Sequence, residues 1–280
     1  MDVPKIALVT GATSGLGRAL SKALAERGFH LLIHGRSAER AAAAAKEVQA
    51  AGGTAEIYLG DLAGLAEVRR LAERLTAAHP RLDLLVNNAG LGGGPPPHLT
   101  REVSADGHEL RLAVNYLAPV LLTRLLLPAL RAAAPARIVN VGSVGQAAPD
   151  FDDLDLERGY DGGTAYCQSK FALAAFTFDL AEDLRGSGVS VNCVHPANFM
   201  DTFQVREAGV RPWTTAEAGV PPVLNLAVGK AGEHSGQYFN GLSRSRAHGE
   251  TYDPAVRKRL REVTDRLLAP FLTGDRNEGS

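Results

Sequence analysis

Short apolar runs alternate with longer amphipathic stretches along nearly the whole chain, and this alternation most restricts the fold. The runs at 5–10, 31–34, 54–59, 82–86, 136–141 and 189–195 read as strands, with a seventh at 236–240. Between them lie helical patterns: 16–27 closed by Gly28, an Ala-rich stretch capped by Ser37, 65–78, a long one over about 107–133, and 164–185. Pro119 and Pro128 are expected to bend or interrupt the long one. Apolar strands separated by helices predict a parallel sheet covered on both faces. The expected fold is α/β, a doubly wound sheet in a three-layer αβα sandwich, with one domain over 1–272. The polar segment 273–280 is expected to form a mobile tail. In such sheets ligands bind where the strands end at their carboxyl side, so the loops after the strands are the ones to search.

Composition excludes several functions. The 280 residues hold 30 basic and 31 acidic side chains, a net charge of −1, which argues against a nucleic-acid partner. Arg, Pro and Gly break the apolar runs, so no stretch is expected to approach the length of a membrane span. Met1 to Lys5 lead into the first strand with no signal-peptide layout, and a cytoplasmic location is expected. Cys167 and Cys193 have neither disulfide-framework nor metal-ligand spacing, and no metal is expected.

The first strand enters Thr10-Gly11-Ala12-Thr13-Ser14-Gly15-Leu16-Gly17. Gly11 permits a tight turn, Gly15 a close approach of backbone to a pyrophosphate, and Gly17 close helix–strand packing. The helix that follows offers free N–H groups and a positive dipole end to phosphates. The spacing, G-x-x-x-G-x-G, departs from the generic dinucleotide fingerprint. After the second strand come Arg36 and Ser37, where an NAD-preferring fold usually has an acid; an Arg suits a 2′-phosphate, so NADP(H) is favoured over NAD(H). Ser14 stands where a second basic residue would strengthen that preference. Asp61 can accept from an adenine amino group or cap the next helix. Asn87-Asn88-Ala89-Gly90 is suited to backbone passing close to a cofactor.

Tyr166 and Lys170, four residues apart on a predicted helix, share a face. Nearby positive charge, from Lys170 aided by an oxidised nicotinamide, would lower the phenol's pKa and tune it for proton transfer. Ser143, at the end of the fifth strand, is placed to bond a substrate oxygen, and Asn115 to hold a water that relays protons from Lys170. Each residue alone is unremarkable; the four together at the predicted active edge are not.

With these motifs the chain resembles the short-chain dehydrogenases/reductases over about residues 5–270. The resemblance implies a Rossmann-type sheet, an oxidoreductase acting on a carbonyl or alcohol, and Asn115, Ser143, Tyr166 and Lys170 as the catalytic set. It also implies cofactor contacts at Gly11, Thr13, Ser14, Gly15, Leu16 and Gly17, at Arg36, Ser37, Asp61 and Leu62, at Asn88, Ala89 and Gly90, and at Tyr166, Lys170, Pro196 and Thr202. Lys170 would bind the nicotinamide ribose and Thr202 the carboxamide. Within the family, Ala165 to Lys170, Asn192 to Pro196 and the acidic insert at 150–155 are most similar to the retinol-dehydrogenase-like branch. One departure is Ala197 after Pro196, where the family commonly has glycine. Phe199, Phe203 and Trp213 are expected on a substrate lid at about 199–220, with Ser143 and Tyr166 completing the substrate contacts, and an apolar small molecule is the expected substrate. A helix-mediated homodimer or homotetramer would fit the family. An epimerase or dehydratase would need a different glycine turn and a larger C-terminal domain. A non-catalytic cofactor-binding regulator tends to lose the Tyr or Lys, and a methyltransferase has no use for either.

Overall fold

The computed structural model describes residues 4–272. Its elements are β1 (Ile6–Val9), α1 (Gly15–Ala25), β2 (His30–Gly35), α2 (Ala38–Ala50), β3 (Thr54–Leu59), α3 (Leu65–Ala78), β4 (Leu84–Asn87) and α4 (Leu110–Ala132). There follow β5 (Ala136–Val141), α5 (Gly162–Asp183), β6 (Val189–His195), α6 (Phe203–Glu207), α7 (Val220–Ala227), β7 (Gln237–Asn240), β8 (Ser243–Ser245) and α8 (Pro254–Leu272). The strand order is β3-β2-β1-β4-β5-β6-β7-β8. The first seven strands run parallel, and β8 pairs antiparallel with β7.

Both faces of the central strands are buried, which is why those strands read as nearly continuous apolar runs. Leu8, Leu32, Leu85 and Ile138 face α3, α4 and α5. Their neighbours Ala7, Val9, Leu31, Ile33, Leu84, Val86 and Val139 face α1, α2 and α7. At about 1.5–3 kcal/mol for each large side chain withdrawn from water, these two layers supply most of the drive to fold. The polar turns are left at the rims. The order reverses between β1 and β4, so the loops after those strands form the crevice.

Three sequence expectations need correction. First, the two prolines do not interrupt α4. Ala113–Leu117 forms a π turn in which the Ala118 N–H reaches back to the Ala113 carbonyl. That widened turn precedes Pro119, which has no N–H to give, and the helix runs on through Pro128. Second, Leu110–Ala132 is long and apolar enough to cross a membrane; Arg and Pro do not shorten it as expected. It is mostly buried, with its apolar side chains inside the core. Third, α8 was not anticipated. Leu260, Thr264 and Leu268 are buried at intervals of four, Tyr116 and Thr264 share a hydrogen bond of 2.7 Å, and Arg261 pairs with Asp179 at 2.8 Å. It packs against α4 and α5. The tail at 273–280 lies outside the described residues.

Candidate active site

The turn after β1 is built around its glycines. Gly11 and Gly15 hold φ of 65° and 49°, a region L side chains rarely adopt. A Cβ on Gly17 would lie 2.3 Å from the Gly11 carbonyl oxygen, so α1 can start against the turn only with glycine there. Asn88 locks the turn to the loop after β4. Its backbone N–H donates to Thr10 Oγ1 at 3.0 Å and its amide to the Thr10 carbonyl at 2.8 Å, and the Ala89 N–H reaches Thr10 Oγ1 at 3.0 Å. Thr13 packs on Gly35, where a Cβ would sit 2.3 Å from its methyl. Leu16 is buried. Ser14, at the N-cap of α1, makes no capping hydrogen bond, so no side-chain cap claims the first-turn N–H groups. A cradle too tight for any Cβ, facing an uncapped helix amino end, fits a pyrophosphate.

A residue not foreseen from sequence supports this turn. His34, 2% exposed, accepts from the Gly11 N–H at Nδ1 (3.3 Å) and donates from Nε2 to the Gly60 carbonyl (3.1 Å). Burial lowers its pKa to about 4, so the ring is neutral and its tautomer is set by these two partners. It thereby ties the phosphate turn to the loop that carries Asp61. Across that loop Arg36 and Asp61 pair at 3.8 Å, both well exposed. Ser37 accepts from the Arg40 N–H at 3.3 Å as the cap of α2, and Asp61 accepts from Ala63 N–H at 3.1 Å in a local turn. Leu62 is buried beneath them.

At the ends of β4, β5 and β6 the expected catalytic residues converge. The Lys170 ammonium, on α5, donates to the Val141 carbonyl at 2.9 Å and lies 5.8 Å from the centroid of the Tyr166 ring. Ser143 hydrogen-bonds the Tyr166 phenol. Its hydroxyl is held in place by the Gly145 N–H at 3.1 Å. Asn115, in the π turn, accepts from Leu91 N–H at 2.7 Å and donates to Ser169 Oγ at 3.0 Å. It so joins α4, α5 and the loop after β4. Gly90 passes between them: a Cβ there would be 3.1 Å from Asn115 Oδ1 and 3.4 Å from Lys170 Nζ. The Gly90 carbonyl accepts from the side-chain amide of Gln204, a lid residue missed in the sequence because nothing local marks it.

Burial dominates the electrostatics. It lowers the Lys170 pKa to about 8. It also raises the Tyr166 phenol, against the opposing Ser143 hydrogen bond. The sequence expectation joined Lys170 to an oxidised nicotinamide; in the polypeptide itself burial sets the direction, and the ammonium's hydrogen bond goes to Val141. The site holds a protonated phenol next to a serine hydroxyl and a buried amine, an arrangement able to hand a proton to an oxygen.

The loop after β6 returns to the cofactor turn despite Ala197. Phe199 takes the positive φ of 40°, and Thr202 stands over Gly15, its methyl 3.2 Å from where a Cβ would be. Pro196 packs beside Gly219, whose added Cβ would also meet Leu16 at 3.1 Å. Phe199 and Trp213 contact each other with centroids 4.5 Å apart, and with Phe203 they are largely exposed on the lid. The acidic insert is a clamp. Asp155 accepts from Glu109 N–H at 2.8 Å, and the Tyr160 hydroxyl donates to Glu109 at 2.9 Å while accepting from Arg111 at 2.9 Å.

A sequence model of the short chain dehydrogenase family matches residues 5–209. Retinol dehydrogenase 13 of Homo sapiens is 37% identical over 286 residues, covering 94% of this chain and 84% of the relative. Retinol dehydrogenase 12 of Bos taurus is 39% identical over 278 residues, covering 94% and 86%. Among solved structures, a Pseudomonas aeruginosa RhlG/NADP active-site complex aligns with a TM-score of 0.67 at 31% identity, covering 84% of this chain and 94% of that one. A metagenomic short-chain oxidoreductase in complex with NADP aligns with a TM-score of 0.63 at 30% identity, covering 85% and 96%.

Proposed function

The chain belongs to the short-chain dehydrogenase family, in its retinol-dehydrogenase-like branch, and from that premise we propose that it interconverts a carbonyl and an alcohol on an apolar small molecule, with Tyr166 as acid and base and NADP(H) as cofactor. The observation that carries the reading is the meeting of Ser143, Tyr166, Lys170 and Asn115 around Gly90 at the carboxyl edge of the sheet.

The cofactor, when bound, supplies or takes the hydride. The chain's own groups do the rest. The first-turn N–H groups of α1 and the glycine turn receive the pyrophosphate. Arg36 would hold the 2′-phosphate and Asp61, its partner at 3.8 Å, would face the adenine. Lys170 bonds the ribose, and Thr202 the carboxamide. Ser143 donates to the substrate oxygen and keeps it beside the Tyr166 hydroxyl. Because burial keeps that phenol protonated, it is ready to donate as a carbonyl is reduced; alcohol oxidation is the same path reversed. Asn115 fixes the loop and helix that frame Lys170, and its turn offers a place for a relay water. Most of the acceleration comes from holding the reacting atoms in register. The lid at 199–220 closes the substrate side with its aromatic residues. The names of the relatives put a retinoid alcohol and aldehyde first in a substrate panel.

The test is that panel, followed at the NADPH absorbance band with both cofactors. Tyr166→Phe is expected to lower kcat about 10²–10⁴-fold while the dissociation constant for NADPH stays within about threefold. A variant that turns over at the parent rate would refute the assignment.

A further inference from the structure

We propose that His30, Glu56 and His79 form a binding site for a divalent transition metal, zinc by preference, at the outer edge of the sheet away from the catalytic end. Nothing in the reaction uses these residues, and no local spacing in the sequence links them. The fold brings them together. Strands β2 and β3 pair with His30 opposite Thr54 and Leu32 opposite Glu56, so His30 and Glu56 point from the same face. Helix α3 packs on that face, and His79 is the residue that ends it. Five residues of β2 separate His30 from Gly35, about 17 Å of strand, so the cluster is remote from the cofactor turn.

The donor atoms are nearly in place. His30 Nε2 is 3.1 Å from Glu56 Oε1, and His79 Nε2 is 3.1 Å from Glu56 Oε2. All three ligand atoms lie within 4.8 Å of one another. A tetrahedral zinc ion with bonds of about 2.0–2.2 Å sets its ligand atoms about 3.3 Å apart. Each imidazole Nε2 already stands close to this distance from a carboxylate oxygen, Oε1 for His30 and Oε2 for His79, so small side-chain shifts bring the three donors around one ion. Two imidazoles and a carboxylate are also the donor types zinc takes.

The surroundings orient these ligands. A hydrogen bond of 2.7 Å between His30 Nδ1 and Thr54 Oγ1 holds the ring so that Nε2 faces Glu56. The Tyr58 hydroxyl donates to Glu56 Oε2 at 3.1 Å and steadies the carboxylate. The imidazoles are mostly covered, with 18% and 12% of their side-chain surface exposed, while Glu56 is 48% exposed. That opening gives an entry path and room for a water as fourth ligand. A bound ion pins β3, the edge strand, and the end of α3 to β2. It acts on stability, not on the chemistry of Tyr166.

The experiment uses the full chain with any affinity tag removed, stripped with EDTA and exchanged into chelator-free buffer. Calorimetric titration with Zn²⁺ is expected to give one saturable site per chain. The melting temperature should rise by roughly 4 °C at a hundredfold excess over Kd. Binding is expected to weaken at least tenfold in both His30→Gln and His79→Ala and to be unchanged in the exposed-surface control His234→Ala. Absence of a saturable site, or binding that survives either substitution at full strength, overturns the proposal. Should a variant not fold, the parent decides: diethylpyrocarbonate labelling is mapped by mass spectrometry with and without Zn²⁺. Protection of both His30 and His79 supports the site, and protection of fewer than both overturns it.

Discussion

Lys170 is retained at the expense of stability, and the size of that expense follows from its burial. The side chain is 5% exposed, and its pKa falls from 10.5 to about 8, chiefly through desolvation. A folded-state pKa below the unfolded one means the unfolded chain binds more protons between the two values. Stability must then rise with pH across that window, and the penalty is complete below pH 8. Working the linkage from 10.5 to 8 puts the penalty at about 3.4 kcal/mol at pH 7 and about 1.4 kcal/mol at pH 9.5. Replacing Lys170 by Met removes the ammonium but strands the Val141 carbonyl, which returns roughly 1–3 kcal/mol of that gain. The diagnostic quantity is therefore the pH dependence. Urea unfolding of the parent and of Lys170→Met at pH 7, 8 and 9.5 should show the parent gaining about 2 kcal/mol on the variant across the range. Other groups cancel in the comparison, since Cys193, beside Lys170, is pushed up to about 12 and stays a thiol. The variant should also lose turnover. Two parallel pH curves would show that the ammonium is not desolvated, and the account of the site would fail with it.

The remaining predictions concern the cofactor end. Arg36→Asp should weaken NADPH binding about 10–100-fold and leave NADH nearly unchanged, as the loss of a charge-assisted phosphate contact requires; equal weakening of both would argue that Arg36 is only a solvated partner of Asp61. His34 has a folded-state pKa of about 4 against 6.5 unfolded, so its contribution is whole above pH 6.5 and is lost as pH falls through that window. Relative to His34→Gln, the parent should lose about 2 kcal/mol in urea unfolding between pH 7.5 and 5, and a flat difference would exclude a buried neutral ring.

What was legible in the sequence was what repeats locally. The limits of β5 and β6 agree with the apolar runs at 136–141 and 189–195 because strands buried on both faces are largely apolar, while the run at 54–59 marks β3 even though that edge strand is mostly exposed. The glycine turn and the Tyr166–Lys170 pair were legible because each answers a geometric demand within a few residues. The contacts between distant segments were not. His34 sits in a strand like any other residue, and only the fold places Gly11 and Gly60 on its two nitrogens. Gln204 reaches Gly90 across 114 positions. Helix α8 carried a usable signal in the spacing of Leu260, Thr264 and Leu268, but its partners on α4 and α5 could not be named from it. Nor could spacing show that burial raises the Tyr166 phenol in the polypeptide itself, because desolvation depends on everything packed around the ring.

The acidic insert shows how such blindness can invert a reading. Asp150 to Asp155 look like a solvated charge run, yet Asp155 accepts from the backbone of Glu109, and Tyr160 joins Glu109 to Arg111. Glu109 and Arg111 are 1% and 3% exposed, and the Arg111 guanidinium also donates to the Gly92 carbonyl at 3.0 Å. A buried ion pair of this kind adds little net stability over an apolar replacement, but it tolerates only one arrangement of its partners. Here that arrangement holds Gly92, one residue from Leu91, whose backbone is bonded by Asn115. The insert thus does more than lengthen the Ser143–Tyr166 interval: through Glu109 and Arg111 it fixes the loop after β4 that also carries Gly90 beside Lys170.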